Sequence, residues 1–169
     1  MIRYLILIAC GCAARTTPHP ACAAPEARTF DFLLGRWHAT ERDASGAVVS
    51  TGSIANEPIL GGCALRESWR FEIAGKPAFE AVVLRSYDSG GKRWMLSYID
   101  DGLAHQLYEG REDAGQWRFF RERKADDGST VLVRITWVPS AAGYTQTIER
   151  STDAGATWLL GSTIAYDRR

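Results

Sequence analysis

The chain has 169 residues, 46% of them hydrophobic, with six tryptophans and as many acidic as basic residues. That is enough for one compact core and too little for two domains of ordinary size. A balanced charge gives no electrostatic reason to bind nucleic acid or anionic lipid.

The first residues differ from the rest. Arg3 is the one charge in Met1–Tyr4, Leu5–Ala14 is apolar and small, and no acidic residue precedes Glu26. Ala21-Cys22-Ala23 then offers the small-x-small pattern of a signal-peptidase site. These features predict a secretory signal over residues 1–23. They do not predict a transmembrane segment, because the apolar run falls well short of the ~20 residues a spanning helix needs. Cleavage after Ala23 removes Arg3 and Arg15, which leaves 18 basic residues against 20 acidic and a net charge of −2. A rival route is open: Leu7-Ile8-Ala9-Cys10 is similar to a lipobox, with Cys12 a weaker match, and would give a lipoprotein anchored through Cys10 or Cys12. Either way the expected location is periplasmic or secreted. Cys10, Cys12 and Cys22 would leave with a signal cut after Ala23, so Cys63 stands alone and no intramolecular disulfide is expected. Cys63, following two glycines, reads as small packing at a strand start.

Residues 24–29 read as a flexible linker and residues 30–169 as one β-domain. Phe30-Asp31-Phe32-Leu33-Leu34 suits a single helical turn, stopped by Gly35. Beyond it, short apolar segments alternate with Gly, Asp, Asn and Ser turns, and no stretch sustains helical periodicity. Ten strands are expected, at about 36–43, 47–58, 64–73, 77–87, 93–99, 103–109, 116–123, 130–139, 143–151 and 157–166. Their connections are short, so neighbours pair antiparallel in an up-and-down meander. A meander of that length removes its unpaired edges by closing, which predicts an all-β antiparallel barrel of about ten strands.

Three turns share a theme: Asp88 to Trp94, Asp113 to Trp117 and Asp153 to Trp158 each place Asp, then Gly, then Trp at the start of the next strand. Asp bonds turn amides, Gly supplies positive φ and Trp packs across the strand pair. The third, with Ser151 before it, resembles the Asp-box hairpin of sialidases, but the chain is far too short for a propeller. All three read as structural hairpins.

Phe30-Asp31-Phe32-Leu33-Leu34-Gly35-Arg36-Trp37 resembles the opening of calycin and lipocalin barrels, a turn of helix followed by Gly-x-Trp entering the first strand. That resemblance implies a Trp37 closing the barrel base, with Arg168 or Arg169 packed on it. Together with Leu60-Gly61-Gly62-Cys63-Ala64-Leu65-Arg66-Glu67-Ser68-Trp69, the Tyr87-Asp88 to Trp94 segment and Asp100-Asp101-Gly102, the opening resembles the bacterial family catalogued as domain of unknown function 1579. The resemblance covers most of residues 29–168 and implies a barrel with no established activity. Nitrobindins share the helical-turn opening and bind haem through a histidine on a late strand. Here the histidines beyond the signal are His38 and His105, and a Tyr-Pro-Thr segment is missing, so no haem and no other cofactor is expected.

Alternation assigns the faces. Leu65, Trp69, Phe71 and Ile73 share a side with Glu67, and on the next strand Phe79, Ala81, Val83 and Tyr87 share a side with Arg85. An acid and a base therefore both point inward, where an isolated charge is costly and pairing is expected. Tyr98 and His105, flanking Asp100-Asp101-Gly102, complete the candidate interior set of Glu67, Trp69, Arg85, Tyr98 and His105. His38, His105 and the nearby carboxylates have no enforcing spacing, so no metal site is expected. Gln116–Lys124 interleaves aromatics with Arg118, Arg121 and Arg123, a pattern that half-exposed strands share with RNA-stacking strands. No nucleophile elbow, zinc-protease, phosphate-loop or dinucleotide motif is present, and no catalytic residue is assigned. The expected function is binding of a small, partly apolar molecule inside the barrel. The alternatives are an enzyme using the interior polar groups and an envelope scaffold with a filled barrel.

Overall fold

The computed structural model describes residues 20–113 and 116–168. The expected signal segment up to residue 19, with the lipobox cysteines Cys10 and Cys12, lies outside the described residues. So do Arg169 and the tip of the Asp113–Trp117 turn.

The chain forms a closed antiparallel barrel of ten strands. They are β1 (Gly35–Asp43), β2 (Val48–Ile59), β3 (Ala64–Ile73), β4 (Phe79–Asp88), β5 (Arg93–Asp100), β6 (His105–Asp113), β7 (Gln116–Lys124), β8 (Thr130–Pro139), β9 (Gly143–Ser151) and β10 (Leu159–Arg168). Each strand pairs with its neighbours in sequence, and β1 closes the ring against β10, with Trp37 opposite Arg168 and Asp43 opposite Ser162. Alternation of buried and exposed residues along the strands turns one apolar row of each inward, and closure leaves no unpaired edge. Bulges interrupt the register beside Glu41 and Leu160. The expected meander, its strand positions and its closure are all present.

The two ends differ in construction. At one end, here the base, a 3-10 turn (Asp31–Leu33) tucks Phe30 and Leu33 into the barrel. Gly35, at φ 121°, lets the chain leave that turn and enter β1 directly. Trp37 donates its indole N–H to the Leu33 carbonyl at 2.6 Å. The Arg168 guanidinium lies 4.7 Å from the Trp37 ring centroid, the packing that the lipocalin resemblance implies for Arg168 or Arg169. Phe30 meets Trp94, Phe119 and Trp137, and Tyr144 stacks on Tyr166, so the base is filled by aromatic rings. Gly110 faces inward here because there is no room for more: a Cβ would come within 2.9 Å of both the Phe119 ring and the Trp94 side chain. At the other end, the mouth, the loops after β1, β3, β5, β7 and β9 surround the opening. The Asp153 turn is built as its sequence suggests. Its carboxylate accepts from the Ser151 hydroxyl and from the Thr157 amide and hydroxyl, which hold it down at a pKa of about 2.

Two features of the N-terminal segment add to the sequence reading. Within residues 24–29, Pro25–Arg28 form a 3-10 turn, with Thr29 bonded back to the Glu26 carbonyl and Arg28 ion-paired with Asp31. Cys63 is not alone. It forms a disulfide with Cys22, which is itself buried to 2% exposure. Cleavage after Ala23 would remove Cys22 and with it this bond.

Candidate ligand-binding site

β3 and β4 pair with Glu67 opposite Val83 and Leu65 opposite Arg85. Glu67 and Arg85 are therefore diagonal neighbours on the inner face, and both are sealed from solvent, at 2% and 0% exposure. Arg85 Nη1 lies 2.6 Å from Glu67 Oε1. The contact is an ion pair without a directed hydrogen bond, for none of the three guanidinium nitrogens has a hydrogen-bond partner among the described residues. The guanidinium instead spreads over aromatic faces, 4.4 Å from the Trp137 centroid and 5.0 Å from that of Phe30. Such contacts recover part of the lost hydration of the cation. Trp69 completes the group by donating its indole N–H to the second Glu67 oxygen at 3.1 Å.

Above this pair, toward the mouth, the barrel is not filled. A cavity of about 370 Å³ lies between the Arg85 level and the loops. Its wall is apolar on the β3–β5 side, through Trp69, Phe71, Phe79 and Leu96, and aliphatic on the far side, through Val133 and Ile135. Tyr98 contributes its ring to the wall and donates its hydroxyl to Asp100 at 2.8 Å. Burial, with that carboxylate adding to it, pushes the Tyr98 phenol well above its ordinary range, so it stays a neutral donor.

Four of the five expected interior residues therefore come together: Arg85 at the cavity floor, Trp69 and Tyr98 in its wall, and Glu67 behind them, paired with Arg85 and bonded to Trp69. His105 does not join them. It is exposed on the outer face of β6, with Nε2 3.2 Å from the Ser97 hydroxyl. The inward row of β6 is Gln106, Tyr108 and Gly110, which puts His105 and Leu107 outside. His38 is likewise exposed, on the outer face of β1.

Sequence reading missed the polar groups nearer the mouth. Arg121 and Arg123 share the inner face of β7 with the buried Phe119. Arg150 continues the inner row of β9 beyond Tyr144, Gln146 and Ile148. Arg121 donates from Nε to the Tyr108 hydroxyl at 3.0 Å, and the Tyr108 hydroxyl donates to Gln106 Oε1 at 2.8 Å. Burial raises the Tyr108 pKa, opposed by the nearby charges of Arg121 and Arg150. On β1, two strands from β9, Glu41 accepts from Ser50 at 2.8 Å. The parity of β7 alone, with Phe119 inward, was a sufficient signal for both of its arginines.

No protein-family model matches the chain, and no curated protein matches it. Among solved structures the barrel is similar to a de novo designed fluorescence-activating β-barrel, at a TM-score of 0.42 and 12% identity over 82% of this chain and 95% of the designed one. A likeness that loose says nothing about what this chain binds.

Proposed function

We propose that this protein is a binding or carrier barrel for a small, partly apolar molecule held in its mouth-side cavity. The observation that carries the reading is the contrast between the two halves. The base is packed with aromatic rings, whereas the mouth side keeps about 370 Å³ open, lined by apolar walls and a few placed polar groups. A volume in the ~300–1,000 Å³ range with that lining is typical of small-molecule sites. A scaffold barrel has no use for such a space, since filling it with larger side chains would add burial.

The test is a titration with a neutral apolar dye, N-phenyl-1-naphthylamine, followed by its emission and by quenching of tryptophan. Binding to the native protein, loss of most tryptophan quenching in Trp69→Phe, and loss of binding in Ile135→Trp, which fills the cavity, are the expected results. A dye that ignores the native barrel, or that binds Ile135→Trp equally well, sinks the carrier reading in favour of the scaffold.

The site of action follows as part of the same proposal. A disulfide persists in oxidising compartments, which supports export to the periplasm or beyond. Because Cys22 is the partner of Cys63, a processed chain that keeps this bond is cut upstream of residue 22. That favours lipidation at Cys10 or Cys12 over cleavage after Ala23. The intact mass of the exported protein distinguishes them: a diacylglyceryl mass supports retention of Cys22, and a chain beginning at Ala24 overturns it. The proposal also keeps the chain's likeness to the domain of unknown function 1579 as its family.

A further inference from the structure

The arginines that line the cavity near the mouth lack the carboxylate partners that several outer arginines have. Arg66, Arg70, Arg93, Arg118 and Arg134 each hold a carboxylate on the outer surface. Arg121, Arg123 and Arg150 line the cavity, and none of them is ion-paired among the described residues. Register brings two of them to one level: Arg121 and Arg150 are both directly opposite Val133, one on each side of it. Two strand spacings, roughly 10 Å between backbones, separate them, well within the convergence of two long side chains around a single headgroup. Among the described residues the acid lining this space is Glu41, whose Oε2 is engaged by Ser50. With the Glu67–Arg85 pair neutral as a unit, three cations face one anion at the mouth of a chain whose formal net charge is zero. Arg121 and Arg123 are partly buried against the cavity, where a cation without a counter-charge is costly to keep, and Arg150 stands more exposed at its rim.

We propose that the ligand is an amphipathic anion, with its apolar body against Trp69, Phe71 and Phe79 and its carboxylate or comparable headgroup between Arg121, Arg123 and Arg150. The inference rests on the carrier reading above and adds the ligand's chemical class and its orientation, headgroup toward the mouth. Arg85 is not the headgroup partner, because Glu67 already answers its charge and the aromatic rings of the base enclose it. Tyr108 has a positioning role: its hydroxyl holds the Arg121 Nε, leaving the outer guanidinium nitrogens to the ligand. Glu41, on β1 two strands from Arg150, opposes the anion by its charge.

A matched set of probes separates this inference from the reading beneath it. Decanoate, decanol and decylammonium carry one apolar body with three charges, and displacement of the neutral dye measures each. Decanoate is expected to bind the native protein roughly tenfold to hundredfold more tightly than decanol, the range of charge-assisted hydrogen bonds, with decylammonium weakest. Added salt should weaken decanoate and leave decanol unchanged, because the mouth is partly solvated. Arg121→Gln and Arg150→Gln should each remove most of the decanoate advantage with decanol binding intact, which also shows that the variants fold. Glu41→Gln should tighten decanoate. If decanol and decanoate bind equally, the carrier reading survives and the anion inference falls. If none of the three displaces dye, or the dye itself does not bind, both fall. A decanoate preference that survives both arginine substitutions overturns the assignment of the headgroup site.

Discussion

Removing one member of the Glu67–Arg85 pair tests whether the barrel's floor is held by charge. Arg85 is completely enclosed and Glu67 is 2% exposed, so neither side chain can turn to water when its partner is lost. Arg85→Met keeps a long side chain of similar reach among Phe30, Phe119 and Trp137 but leaves the Glu67 carboxylate with only the Trp69 indole as donor. Stranding a buried charge in this way costs about 3–5 kcal/mol. Glu67→Gln keeps an oxygen for Trp69 but leaves the Arg85 cation with aromatic faces alone, a loss of the same order. The double variant buries no net charge and strands none, so it should lie well above the sum of the singles and within about 2 kcal/mol of the parent. Urea unfolding of the four proteins, followed by tryptophan emission and by circular dichroism, closes the cycle. Should a single variant fail to fold, a double variant that does fold still demonstrates the coupling. Additive losses, or single losses below about 1 kcal/mol, would falsify the view that the two charges support each other.

Alkaline titration provides an independent probe of the base. Burial raises the phenols of Tyr144 and Tyr166 above the ordinary 10.0, with the Glu67 charge adding to it. An unfolded chain releases those protons near pH 10 and the folded one holds them, so the stability they contribute is intact below pH 10 and falls as pH rises beyond it. Phenolate absorbance should therefore rise late and together with loss of the near-ultraviolet circular dichroism; full ionisation with the fold intact would contradict the enclosure. The Cys22–Cys63 bridge closes a separation of 41 residues, for which chain entropy alone gives about 4 kcal/mol. Cys63→Ser, or reduction, should lower the urea midpoint accordingly, and an unchanged midpoint under reductant would show that the bond does not form. Gly110→Ala should cost roughly 1–3 kcal/mol by overpacking against Phe119 and Trp94, measured as a shift in the denaturation midpoint; a neutral result would mean the base is looser than described.

Much of the fold was legible because alternation is a local property. Leu65, Glu67, Trp69 and Phe71 must share a side of β3 whatever the barrel does, and so must Val83 and Arg85 on β4. Short Gly and Asp turns force neighbours to pair, and ten paired neighbours have edges to hide, so closure was predictable too. Which side faces inward is less local, and β6 shows why. Leu103, His105 and Leu107 imitate an apolar row, yet Leu107 is 60% exposed and the opposite row is buried. That choice is made by Gly110, where Trp94 and Phe119 from the flanking strands meet over a residue with no side chain.

The sequence by itself therefore determined the strands, their order and the inward placement of an acid–base pair, since these depend on period, turn chemistry and neighbour pairing. Tertiary structure decided the rest. It brought Cys22 to Cys63 across 41 positions, set Arg121 and Arg150 on either side of Val133, and filled the base while leaving the mouth open. Each of these is a relation between residues far apart in the chain. Such a relation exists only once closure of the ring fixes which side chains share a level and how much volume is left between them.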